Sequence, residues 1–308
     1  MTSTDDVKFR PQRDVLVAPG QIDSHVTDMT ATVAADVPLE TVQAHLAKFD
    51  QWIPIDGDAR LPIGRLVETN STGPLRLGYG AWRDLLLGCQ FKTAGGQLIT
   101  AGGRTMKNVA GYDLVKLMVG QSGILGSLMT VTCRTYARPA AALVAEFEPS
   151  DAWLGQIITT PMRPRWAILR PEVLICGWMD DERAISLFER LANEHHPRRI
   201  LRRSLADDIE HRADLWNLSG DHFRAAVGPA KILRFIENAR IVNWVADAAF
   251  GVVIGPYADG DVAAIENAAE SCGGSATFFA DGQLPRWKLN PSEQAILERL
   301  KKVFAPEG

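Results

Sequence analysis

The residues best placed to do chemistry lie in one stretch, Thr93 to Pro139. Lys107, Tyr112 and Asp113 bracket a Val-Ala-Gly turn, and Gly120, Gly123 and Gly126 follow at intervals of three. Eight of the 26 glycines fall between Gly95 and Gly126, so the backbone is being shaped there. Glycine tolerates positive φ and lets a flat ligand reach the main chain. A lysine beside such a turn could stabilise negative charge developing on that ligand. Tyr112 could pack against a planar ring or in the core. Asp113 opens a helix predicted over 112–119, where the helix dipole favours an acid. The G-x-x-G-x-x-G spacing differs from the G-x-G-x-x-G dinucleotide fingerprint, and a Val/Thr-rich strand pattern follows it rather than a helix. Spacing alone favours the plainer reading, a tight turn between helix and buried strand.

A second polar cluster precedes it. Pro62, Ile63 and Gly64 are followed by Thr69, Asn70, Ser71, Thr72 and Gly73. The hydroxyls and the amide suit a ligand's polar edge, and an ordinary turn-rich loop accounts for the same composition. His195-His196 closes a predicted helix 181–194, but adjacent histidines point to different faces of a helix. No Asp/Glu cluster accompanies them, so no metal is expected. Cys89, Cys133, Cys176 and Cys272 have no C-x-x-C spacing and read as small buried hydrophobes. Arg198-Arg199 and Arg202-Arg203 read as a solvated face or a partner contact. Trp153, Trp166, Trp178, Trp216, Trp244 and Trp287 read as core, or as a subunit interface where Trp is enriched.

The 308 residues are 46% hydrophobic and 23% charged, with net charge −4, which gives no basic field for nucleic acid. No apolar run approaches a membrane span, and the polar N-terminus shows no signal segment. A cytoplasmic location is the resulting expectation.

The elements that must position these residues are legible in pattern. Strands are expected at 14–18 and 29–34, with a helix opening at Pro38 that buries Val42, Leu46 and Phe49. A hairpin is expected across Gly95-Gly96, between 89–92 and 97–101. Strand Ser127 to Tyr136 follows. Beyond Pro139, strand and helix patterns alternate as α+β with an antiparallel sheet. The strands fall at 141–147, 166–170, 172–178, 200–204, 222–227, 241–246, 250–254 and 275–280. The helices fall at 150–158, 181–194, 205–216, 229–237 and 261–271. A last helix from Pro291 carries Ile296, Leu297, Leu300, Val303 and Phe304 on its apolar side.

KNVAGYDLVKLMVGQSGILGSLMTVT, residues 107–132, resembles the signature of FAD-binding subunits of bacterial glycolate oxidase, within the vanillyl-alcohol-oxidase-like (PCMH-type) flavoprotein family. Lys-Asn, Gly-Tyr-Asp and Gly-x-Leu-Gly occur in the family's order and spacing. Gly80-Ala81-Trp82-Arg83-Asp84-Leu85-Leu86-Leu87-Gly88 also matches a family segment, its Arg-Asp pair reading as a structural ion pair. The resemblance is recognisable upstream to about Val15 and weak beyond Pro139. It implies an N-terminally shortened FAD-binding domain over 1–139, an α+β cap domain with an antiparallel sheet over 140–285, and a helix over 286–308 packing back on the first domain.

It also implies non-covalent FAD between the two clusters. The contacts would be Pro62, Ile63, Gly64, Thr69, Asn70, Ser71, Thr72, Gly73, Lys107, Tyr112, Ser122, Gly123, Ile124, Leu125, Gly126 and Leu128. A complex with a second flavin subunit and an iron–sulfur subunit is implied, acting on glycolate or a similar 2-hydroxy acid, with no catalytic residue recognisable in this chain. Two departures bear on this. The family's Gly/Ser-rich pyrophosphate loop does not precede Asp14, and Arg65 stands where a second adjacent glycine is usual. The alternative is an assembly subunit that kept the fold and lost FAD.

Overall fold

A computed structural model describes residues 17–104, 113–150, 163–216, 220–280, 286–287 and 291–304. The N-terminal module opens with β1 (Ile22–His25), β2 (Thr30–Ala34), α1 (Leu39–Ala47) and β3 (Gln51–Trp52). Three short helices follow, α2 (Ile63–Glu68), α3 (Arg76–Tyr79) and α4 (Trp82–Leu85). Then come β4 (Leu86–Lys92), β5 (Leu98–Gly102), α5 (Leu114–Leu117), β6 (Ser127–Arg134) and β7 (Tyr136–Ala137). Five strands form an antiparallel sheet ordered β1-β2-β6-β4-β5.

Alternation gives this sheet two unlike faces. Ala31, Val33, Cys89, Phe91, Val131 and Cys133 pack with Val42 and Leu46 of α1 and with Ile63, Leu66 and Val67 of α2. The opposite face carries Thr30, Thr32, Gln90, Thr130 and Thr132, all buried although polar. One row of directly paired residues, Asp23–Thr32–Thr132–Gly88–Gly102, crosses all five strands. The chain leaving β5 folds back over that row. A Cβ on Gly88 would meet the Gly103 nitrogen at 2.8 Å and its carbonyl oxygen at 3.0 Å. Arg104 then reaches Asp23 at the far edge of the sheet, 3.2 Å away. Gly102-Gly103 is therefore used for a backbone crossing.

The second sheet has nine strands. They are β8 (Ala141–Phe147), β9 (Trp166–Arg170), β10 (Val173–Asp180), β11 (Arg199–Arg203), β12 (His222–Ala226), β13 (Val245–Asp247), β14 (Val252–Pro256), β15 (Ser275–Phe279) and β16 (Arg286–Trp287). Their order is β11-β8-β10-β9-β13-β14-β12-β15-β16, antiparallel throughout. On one face Leu143, Phe147, Phe223 and Ala225 pack against α6 (Glu182–Glu194), α8 (Ile232–Ala239) and α9 (Val262–Ser271). α7 (Leu205–Trp216) lies on the other side, where Trp166, Ile168, Val252 and Ile254 join Trp52 and Leu75 of the N-terminal module. The last helix, α10 (Pro291–Phe304), brings Phe304 to within 6.2 Å of the Phe91 ring, so its tip shares the first module's core.

Several sequence expectations change here. The strand expected at 14–18 lies mostly outside the described residues, and Val17-Ala18 is not in a strand; β1 starts at Ile22. Helix 112–119 is shorter, with Asp113 as its cap, its carboxylate accepting from the Lys116 amide at 3.1 Å. Asp84 is likewise a cap, accepting from the Ala81 amide at 2.9 Å, rather than the partner of Arg83. Phe49 is exposed, as are Ile296 and Val303, because the apolar side of α10 meets the module only at its C-terminal end. Trp166, Trp178, Trp216 and Trp244 are buried, while Trp153 lies outside the described residues. The helix expected over 150–158 also lies outside the described residues, Ser150 apart. The arginines on β11 and just before it meet acids, Arg198 with Glu148 and Arg202 with Glu182 and Glu189. The four cysteines are buried thiols.

Candidate functional site

The two clusters singled out in the sequence meet at the C-terminal end of α2. This helix ends in a Schellman motif, with Asn70 taking the left-handed position at φ 50°. The Asn70 amide donates to Val67 O at 3.0 Å, and the Ser71 amide to Leu66 O at 2.8 Å. Thr69 turns its hydroxyl onto Arg65 O at 2.8 Å. The glycine loop docks directly on this cap. The Gly120 amide donates to Val67 O at 3.0 Å and the Ser122 amide to Glu68 O at 2.8 Å. The Glu68 carboxylate accepts from the Leu128 amide at 3.0 Å, so one residue holds both ends of the loop.

Inside the loop, buried Gln121 works as a staple. Its Nε2 donates to Gly126 O at 2.9 Å and its Oε1 accepts from the Leu125 amide at 2.8 Å. Gly120, Ser122, Gly123 and Gly126 all have positive φ. The glycines differ in what surrounds them. A Cβ on Gly126 would meet Lys92 O at 2.4 Å, whereas the Cβ position of Gly123 has nothing within 4 Å among the described residues. Asn70 Oδ1 is buried beside this loop with no hydrogen-bond partner among the described residues. An orphaned acceptor next to an uncovered glycine turn fits a planar ligand carrying N–H donors, which is the chemistry of a flavin edge.

The remaining expected contacts divide. Pro62, Ile63 and Gly64 sit at the other end of α2. The Ile63 and Gly64 amides are taken by Val37 O and Ala35 O, each at 2.9 Å, and a Cβ on Gly64 would meet Ala35 Cβ at 2.6 Å. That glycine serves helix-on-strand packing. Leu125 and Leu128 are buried in the first core, with Ile124 partly buried against it. Lys107 and Tyr112 lie outside the described residues. Among the described residues no group of His, Cys, Asp and Glu is arranged to hold a metal ion.

Thr72 and Gly73 lead away from the loop into a polar seam against the second sheet. Arg224 of β12 donates to Thr72 Oγ1 at 2.9 Å. Arg76 Nε donates to Asp247 at 2.8 Å, and its guanidinium lies 4.2 Å from the Phe250 ring centre. Asp56 accepts from the Leu75 amide and from Arg212 Nε, both at 2.7 Å. Arg212 also pairs with Asp208, whose other oxygen accepts from Trp166 Nε1 at 3.1 Å. Burial lifts the Asp247 carboxyl to about 6 despite Arg76, and it raises Asp208 as well. Burial opposes the Arg212 charge, but Asp56 and Asp208 together hold its pKa above the usual value. Sequence reading missed this seam. Asp208 and Arg212 stand at helical spacing, which is a signal for a pair, but their partner Asp56 is 156 residues from Arg212.

Residues 14–102 match a family model described as an FAD binding domain. The glycolate oxidase subunit GlcE of Escherichia coli (strain K12) is 35% identical over 133 residues, 42% of this chain and 38% of that protein. A mitochondrial D-lactate dehydrogenase [cytochrome] of Arabidopsis thaliana is 29% identical over 121 residues, 39% of this chain and 21% of that protein. The aligned part thus spans well under half of these curated relatives. Among solved structures, an alkyldihydroxyacetonephosphate synthase superposes with a TM-score of 0.66 over 91% of this chain and 63% of its own, at 13% identity, which is a likeness of fold. No helix among the described residues is long and apolar enough to cross a membrane.

Proposed function

We propose that this chain, whose residues 14–102 match an FAD binding domain and continue into an antiparallel-sheet α+β region, is a PCMH-type FAD-binding subunit of an oxidase or dehydrogenase complex acting on glycolate or a similar 2-hydroxy acid. One observation carries this reading: the Asn70 cap and the Ser122–Gly123 turn are tied together by Glu68 and leave an orphaned acceptor beside open backbone. Asn70 would accept from the ring edge, and the turn at Gly123 would lie against its plane. Thr69 and Ser122 would border it. Gln121 and Glu68 would keep the turn in shape before the cofactor arrives, which lowers the ordering cost of binding. Bound FAD supplies a two-electron acceptor for the substrate's hydroxyl-bearing carbon. GlcE is named as a subunit of glycolate oxidase, which supports a place for this chain within a complex; the other members we propose are a second flavin subunit and an iron–sulfur subunit.

The test begins with the chain purified alone and incubated with FAD. Near-stoichiometric, non-covalent flavin by absorbance supports the reading. A folded chain that stays colourless under excess FAD overturns it and leaves the assembly-subunit alternative. Copurification with tagged partner subunits then tests the complex.

A further inference from the structure

We propose that Arg224 and Arg76, in the seam where the second sheet meets the N-terminal module, form the seat for the carboxylate of the small 2-hydroxy acid; this rests on the function proposed above. The seam holds three arginines and three carboxylates, but the partners are not shared evenly. Both oxygens of Asp56 are taken, by the Leu75 amide and Arg212. Asp208 is taken by Arg212 and Trp166. Asp247 gives one oxygen to Arg76 Nε and the other to the amides of Ala249 and Phe250, at 3.1 and 3.3 Å. Arg224 is left with the Thr72 hydroxyl and with no carboxylate within 4.0 Å among the described residues. Arg76 Nη2 is buried and has no partner.

Two guanidiniums thus present donors that nothing in the described residues accepts, and a planar carboxylate is the group their fork geometry fits. Burial, with Arg76 adding repulsion that Asp247 only partly offsets, pulls Arg224 down to about 10. The placement suits a small acid. Thr72 accepts from Arg224, so its own O–H can donate to the incoming carboxylate or hydroxyl. Thr72 is two residues from Asn70, so the seat stands on the same short run of chain as the cap of the proposed flavin loop. Phe250, stacked on Arg76 and exposed at 45%, marks the side open to solvent.

The experiment is a calorimetric titration of glycolate, at fixed chloride, into the purified chain as it carries its flavin, with neutral glycolamide as the control. Saturable glycolate binding is expected, with glycolamide at least about tenfold weaker. Arg224→Gln should weaken glycolate by about tenfold or more at unchanged flavin content, and Thr72→Val by about threefold when measured at saturating flavin. Arg224→Lys, which keeps the cation but loses the fork, should fall between wild type and Arg224→Gln. Absence of saturable glycolate binding, or equal binding of glycolate and glycolamide, overturns the seat. So does an unchanged affinity in Arg224→Gln or, should that protein not fold, in Thr72→Val. Flavin absorbance of the same samples separates the two readings. A colourless chain that still binds glycolate sinks the flavin assignment alone, and a flavin-loaded chain indifferent to glycolate sinks the seat alone.

Discussion

The loop pair around Asn70 and Gly123 and the seam around Arg212 and Asp247 are joined by one short run, Thr72 to Arg76, yet they are built from different materials. The loop pair is main chain on main chain. Its ties are amides on Val67 O and Glu68 O, and its shape comes from positive-φ positions. The seam is side chain on side chain across long separations, with Asp56 meeting Arg212 and Arg76 meeting Asp247, 156 and 171 residues apart. A backbone-built site tolerates side-chain change except where a Cβ intrudes. A seam of buried charges fails when any one charge is removed, because its partners are then left in low dielectric.

The largest effect should therefore come from the seam. Arg212→Met leaves Asp56 and Asp208 buried without their cation and should cost about 3–5 kcal/mol, read as a shifted midpoint in urea unfolding. A cost below about 1 kcal/mol would mean that the pairing is incidental to how the two regions hold together. Asp247 is the exception, because burial favours its neutral form, and pH should reveal it. Its folded pKa, near 6, is raised above the usual carboxylate value by burial. Its stabilising contribution is therefore complete below pH ~4 and is lost as pH rises through ~6, by on the order of 2–3 kcal/mol. Asp247→Asn should flatten the melting temperature between pH 4 and 7. A wild-type profile that climbs through that window and is unchanged by the substitution would contradict the assignment.

The glycine loop should give smaller effects, sorted by position. Gly126→Ala forces a Cβ toward Lys92 O, 2.4 Å from its ideal place, and should cost about 2–3 kcal/mol with or without cofactor. Gly123→Ala meets no atom of the described residues and should cost only about 1 kcal/mol, from its φ of 82°. It should nevertheless lose more FAD affinity than that stability change accounts for, which fluorescence titration measures. Equal FAD affinity in wild type and Gly123→Ala would move the cofactor away from this turn.

This contrast also explains what could be read from the sequence. The glycine loop, the hairpin at Gly96, strand β6 and most elements after Pro139 follow from local spacing and alternation, and they stand near where those patterns put them. The use of each glycine was not legible, because Gly64, Gly88 and Gly126 are fixed by contacts with Ala35, Gly103 and Lys92 that only the folded chain creates. Glu68 and Gln121 gave no signal, since a glutamate at a helix end and a glutamine in a glycine run are common on surfaces. The seam was invisible for a stronger reason. Asp56, Arg76, Arg224 and Asp247 come from four separate segments, and no periodicity relates them.

The smallest change in stability should come from Asn70→Gly, and it separates the two regions most cleanly. Asn70 occupies a left-handed helix cap, the conformation glycine adopts at least as easily, so folding stability should move by only a few tenths of a kcal/mol. What the substitution removes is the buried, unpartnered Oδ1. If that oxygen accepts from the flavin edge, one hydrogen bond of about 1 kcal/mol is lost and FAD should bind about fivefold more weakly. Glycolate binding, anchored two residues onward at Thr72 and Arg224, should stay within about twofold once flavin is saturating. If FAD binds as tightly to Asn70→Gly as to wild type, the orphaned oxygen belongs to the seam side of the run, and the boundary between the two regions lies before residue 70 rather than after it.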